Sequence, residues 1–149
     1  MARRPALPKL IVGWREWLAL PGLGVEAVKA KVDTGARTSA IHAFNIVEFR
    51  REGDAWLRFE IHPLQRNQMT AVIAEAPLVE YRQVRSSTGH ASRRPVALVE
   101  LELAGLRWPI ELTLASRDQM GFRMLLGRQA LRGRCTVDPG RSYLASKRR

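Results

Sequence analysis

The sequence predicts an all-β fold that closes like a barrel and carries one short helix near its C-terminal end. Three observations predict it: apolar residues that alternate at period two, a scarcity of helical periodicity, and frequent Gly, Pro and Ser punctuation. Val28, Ala30 and Val32 alternate with Lys29 and Lys31. Leu57, Phe59 and Ile61 alternate with Arg58 and Glu60. Val99, Leu101 and Leu103 alternate with Glu100 and Glu102, and Leu106, Trp108, Ile110, Leu112 and Leu114 form the longest run. Period two is the pattern of a strand with one buried face. Ala104-Gly105 separates the last two runs and suits a tight hairpin turn. Pro109 has no N–H to give, so its strand needs an edge or a bulge there. Arg128 to Arg132 reads as the helix, stopped by Gly133. Residues 21–24, 62–68, 86–94 and 139–140 read as loops. Many short strands without an internal repeat favour a closed sheet over an open one.

The chain has 149 residues, of which 46% are apolar. That is enough for one domain over residues 1–149, with its core at about 10–143 and basic ends. Lys and Arg number 25 against 14 Asp and Glu, a net charge of +11. Such a charge favours anionic partners: nucleic acid, an acidic peptide or an anionic surface. Arg3, Arg4, Lys147, Arg148 and Arg149 carry part of the excess, and no helix carries a continuous basic stripe. Cys135 is the only cysteine, which excludes an intrachain disulfide. No run approaches the roughly 18 apolar residues of a membrane span, and no apolar leader follows Arg3 and Arg4. The expectation is a cytoplasmic protein with no membrane contact.

One segment suits carboxylate chemistry: Lys31-Val32-Asp33-Thr34-Gly35-Ala36-Arg37-Thr38-Ser39. A strand ending in Asp-Thr-Gly places a carboxylate where it can point into a cleft. The threonine hydroxyl can hold the loop, and the glycine lets another backbone approach. The triplet alone is a weak signal and reads first as an ordinary turn. Met124-Leu125-Leu126-Gly127-Arg128 follows nearly a hundred residues later, after Val84-Arg85-Ser86-Ser87-Thr88-Gly89-His90 and the long hairpin.

This order resembles the retropepsin-like aspartic proteases. More narrowly, Val12-Gly13-Trp14-Arg15-Glu16, the Asp33 segment through Ala40, Arg85 to His90 and Leu125 to Arg128 resemble a bacterial family labelled ATP-dependent zinc protease. The resemblance spans Leu10 to Tyr143. It implies an acid-protease closed barrel with a flap hairpin and one short C-terminal helix. It implies that Asp33 is catalytic, with Thr34 and Gly35 shaping its loop. It places substrate along Ala36 and Arg37 and under a flap of Arg85, Ser86, Ser87, Thr88, Gly89 and His90. Gly127 and Arg128 would buttress the loop from below. Asp54, Asp118 and Asp138 are not followed by Thr-Gly or Ser-Gly. The resemblance therefore implies a homodimer in which two Asp33 carboxylates share one proton and activate a water.

Arg37 stands where retroviral enzymes carry an acidic residue, so it either reads an acidic substrate or serves as a structural ion-pair partner. The family's association with ligases that add glutamate tails agrees with the first. The expected activity is an aspartic endopeptidase acting on acidic peptides or glutamate-tailed proteins. Zinc and ATP, the cofactors of the family label, find no motif: His42, His62, His90 and Cys135 lack metal-ligand spacing, and Gly22-Leu23-Gly24 lacks the end of a phosphate loop. The expectation is no cofactor and no metal. The competing reading is a non-catalytic basic β-barrel that binds nucleic acid or acidic peptides through its arginines. Aromatics at only 7% argue against a stacking platform for single strands.

Overall fold

The structure is a computed structural model that describes residues 9–63, 71–85, 89, 91–115 and 121–147, Arg85 by its backbone alone. Ten strands follow one another: β1 (Leu10–Val12), β2 (Arg15–Leu20), β3 (Val25–Val32), β4 (Ser39–Arg51), β5 (Asp54–Ile61), β6 (Val72–Arg85), β7 (Ala91–Leu103), β8 (Leu106–Ala115), β9 (Met124–Leu126) and β10 (Cys135–Val137). A 3₁₀ turn, Pro21–Leu23, precedes β3, and the helix α1 (Arg128–Leu131) follows β9. Among the described residues, no helix is long and apolar enough to cross a membrane.

Eight strands form one sheet in the order β2-β3-β9-β4-β5-β6-β7-β8. Further pairings of β2 with β7 and of β4 with β8 bend it into a ring. β1 and β10 form a separate parallel pair. The expected all-β class with one short C-terminal helix is what the chain adopts.

The predicted alternation positions the core. Val28, Ala30, Val32, Leu57, Phe59, Ile61, Val99, Leu101, Leu103, Trp108, Ile110, Leu112 and Leu114 are all buried in one cluster. Trp108 also donates its indole N–H to the Ala130 carbonyl at 3.0 Å, tying β8 to α1. Leu106 departs from the expected pattern: it is 55% exposed, at the hairpin turn. That turn is the predicted Ala104-Gly105, with φ of 52° and 78°, the left-handed pair that a two-residue hairpin requires. Pro109 pairs with Glu100, whereas β4 joins β8 only from Leu112 onward. The missing N–H thus falls where β8 has β7 as its one ladder neighbour.

The expected loop over 86–94 is too long, because Ala91 to Arg94 already pair with β6. Strands β6 and β7 form a hairpin, and the flap that the resemblance implies falls at its tip. Of its expected tip, Gly89 is described, with φ of 84°. Ser86, Ser87, Thr88 and His90, and the side chain of Arg85, lie outside the described residues.

Candidate functional site

β3 delivers Asp33 to the surface. The Val32 N–H donates to the Trp14 carbonyl at 2.8 Å, and the Asp33 N–H donates to the Leu126 carbonyl at 2.9 Å. The strand is therefore held on both sides up to the loop. The Gly35 N–H then donates to Asp33 Oδ1 at 2.9 Å, and the Ala36 N–H to the Asp33 carbonyl at 3.2 Å. This small turn leaves Asp33 half-buried, with Thr34, Gly35 and Arg37 exposed.

Gly127 and Arg128 lie against the same loop. A Cβ at Gly127 would sit 2.5 Å from the Thr38 carbonyl oxygen and 3.0 Å from that of Ala36. Only glycine fits such an approach. The Gly127 N–H donates to Ser39 Oγ at 3.0 Å. Arg128 Nη1 donates to the Thr34 and Gly35 carbonyls at 3.1 and 3.2 Å. The backbone N–H groups of Arg128 and Gln129 reach the carbonyls of Ala36 and Arg37 at 2.8 and 3.1 Å. The fold thus brings Asp33, Thr34, Gly35, Ala36, Gly127 and Arg128 together, across more than ninety residues of sequence. Arg37 joins them through its carbonyl alone. Its side chain points to solvent and has no ion-pair partner among the described residues.

Clefts of about 440, 590 and 390 Å³ open among the described residues. None of them is lined by residues 33–38. The Asp33 loop lies at the surface, with Asp33 half-buried and Thr34, Gly35 and Arg37 exposed.

The described donors do not fit the zinc of the resembling family's label. Among the described residues no three His, Cys, Asp or Glu side chains are grouped to hold an ion. His42 and His62 both pack against the Phe44 ring, with centroids 4.5 and 4.7 Å from it. Cys135 is half-buried, and burial pushes its thiol above the ordinary range, Arg134 only partly opposing this. A thiol so placed stays protonated at neutral pH and is a poor nucleophile.

Sequence reasoning passed over Glu16, which has no exposed surface. Its carboxylate accepts from the N–H groups of Gly13 at 2.7 Å and Leu144 at 2.9 Å. It also accepts from Ala145 N–H at 3.2 Å and from Ser146 Oγ at 2.6 Å. The signal was present: Glu16, Leu18 and Leu20 share the buried phase of β2. An acid on an apolar phase must be satisfied inside.

A family model described as "RimB-like: Retropepsin-like aspartic endopeptidase RimB" matches residues 11–148. The chain belongs to the RimB-like family. The resemblance drawn from the motifs was therefore sound at the level of the retropepsin-like group, while the matched description carries neither zinc nor ATP. A crystal structure of a protein of unknown function from Legionella pneumophila superimposes with a TM-score of 0.78 at 28% identity, covering 92% of this chain and 98% of that one. A protein of Parasynechococcus marenigrum named probable alpha-L-glutamate ligase is 52% identical over 135 residues. One of Shewanella pealeana with the same name is 48% identical over 135 residues. The match takes in 91% of this chain but only 29% and 30% of those proteins.

These relatives correct the activity expected from the motifs. An endopeptidase acting on acidic peptides or glutamate-tailed proteins was expected, with a nucleic-acid or peptide-binding barrel as its rival. The curated relatives at about half identity are named as an enzyme, but as a ligase and not as a protease. The Asp-Thr-Gly motif misled because it marks the fold's loop, and one loop geometry can serve several chemistries.

Proposed function

We propose that this RimB-like chain serves a glutamate-ligating system as the unit that holds its acidic protein partner at the Asp33 face. One observation carries the reading: nearly the whole chain matches about 30% of the length of proteins named probable alpha-L-glutamate ligase. Such a system handles segments dense in carboxylates. This chain offers them a basic surface, with a net charge of +11. In this reading Asp33, Thr34 and Gly35 form the centre, and Ala36 and Arg37 border it. Gly127 and Arg128 hold the loop in shape. A second copy of the chain, related by a two-fold axis, supplies the facing wall. A second reading, hydrolase-class chemistry at Asp33, is favoured by one observation, the family model itself.

The experiment adds the chain to an alpha-L-glutamate ligase with ATP, glutamate and an acceptor protein, and reads tail length by mass spectrometry. The expected result is a shifted tail-length distribution when the chain is present, with a purified, preformed tail left intact in the absence of ligase. Shortening of the preformed tail by the wild type, lost in Asp33→Asn, would replace the holding role with the hydrolase reading. An unchanged distribution in both arms would overturn both.

A further inference from the structure

Four cations share one face of the sheet with Asp33, and strand register puts them there. β2 meets β3 with Arg15 opposite Lys31 and Trp17 opposite Lys29. β3 runs parallel to β9 with Ala30 beside Met124 and Lys31 beside Leu125, which sets Lys29 beside Arg123. β9 meets β4 with Leu125 opposite Ala40, and the His42 N–H donates to the Arg123 carbonyl at 2.9 Å. Alternate residues point to opposite faces. Ala30, Val32, Met124, Leu126 and Ile41 accordingly enter the core. Lys29, Lys31, Asp33, Arg123 and Leu125 share the other face and keep some exposure.

These cations are held but not neutralised. Arg15 lies between the rings of Trp14 and Tyr143, 4.6 and 5.0 Å from their centroids. The Lys29 ammonium is 5.4 Å from the Phe122 ring. Arg123 Nη1 is 3.3 Å from Nδ1 of the buried His42. Lys31, two residues from Asp33, is exposed. Among the described residues, none of the four has a carboxylate at ion-pair distance. Some cations elsewhere do: Arg51 has Glu75 at 3.1 Å, Arg82 has Glu80 and Glu111, and Arg107 has Glu102 at 3.0 Å.

We propose that Lys31 and Arg123 are the carboxylate-reading residues of this face, and that they take alternate acidic side chains of a partner bound in extended form along β3 and β9. The proposal rests on the acidic partner argued above and adds which residues read it and at what spacing. Arg123 shares a row with Lys29, and Lys31 stands one row nearer to Asp33. Rows two residues apart on a strand are about 6.6 Å apart, and every second side chain of an extended ligand has the same spacing. Arg37 sits on the loop, beyond the end of this ladder.

The test uses fluorescence anisotropy with two labelled peptides of equal charge, each with three glutamates separated by serines. One has glutamate at every second position and the other at every third. Wild type is expected to bind the first about tenfold more tightly. Lys31→Ala and Arg123→Ala should each weaken that binding about tenfold, the effect of one charge-assisted pair, and flatten the preference. Arg123→Lys should keep most of it, and Arg107→Ala, on the far hairpin, should change nothing. If the acidic peptides bind but neither spacing nor these two variants matters, this proposal falls and the holding role stands. If wild type binds neither peptide, both fall.

Discussion

Two carboxylates of this chain stand in motif-rich segments and live in opposite surroundings. Glu16 is fully buried and accepts from three backbone N–H groups and one hydroxyl. Its lone pairs are used up in fastening residues 144–146 onto β2. Asp33 is half-exposed, and among the described residues the Gly35 N–H alone donates to its side chain. Saturation makes the first a fastener. The second keeps acceptor capacity for a ligand or a reacting group. Position in a motif does not separate the two, but the donor count does.

That contrast can be broken or sharpened by substitution. Glu16→Ala should have the largest effect, because it strands several buried donors. A loss of about 3–5 kcal/mol in urea unfolding is expected, and a value below about 1 kcal/mol would end the distinction. Gly127→Ala comes next. Its methyl would press on the Thr38 and Ala36 carbonyls, costing about 1–3 kcal/mol as the loop is pushed aside, and ligand contact at Asp33 should weaken with it. Arg128→Ala removes two hydrogen bonds to the Thr34 and Gly35 carbonyls. At this exposed site about 1 kcal/mol is expected, with faster hydrogen exchange confined to residues 33–37. Asp33→Asn should be the smallest, within about 0.5 kcal/mol of wild type in thermal unfolding, since the amide oxygen still accepts from Gly35.

The alternating runs of β3, β5, β7 and β8 were legible because one face of each is buried. Long strands β4 and β6 were not, because both change partners part-way. β4 pairs with β8 and β9 through His42 and with β5 from Ala43 onward, with a register shift between Phe44 and Val47 and with Asn45 at φ of 52°. Such a break interrupts the period that the eye follows. Around the site, Asp33 through Arg37 and Gly127-Arg128 were legible as motifs. Lys31 and Arg123 were not singled out, because only the parallel pairing of β3 with β9, about ninety residues apart, puts them on one face. The ligase name of the relatives is written in no residue pattern here.

The most direct measurement is backbone amide chemical-shift mapping by NMR as a glutamate-rich peptide is titrated into the chain. The expected perturbations cluster at residues 29–37 and 122–128, around Asp33 and its row of cations. Perturbations centred on the outer cleft of Trp56, Ile73 and Leu98, with residues 29–37 silent, would contradict the assignment of the Asp33 face as the ligand face.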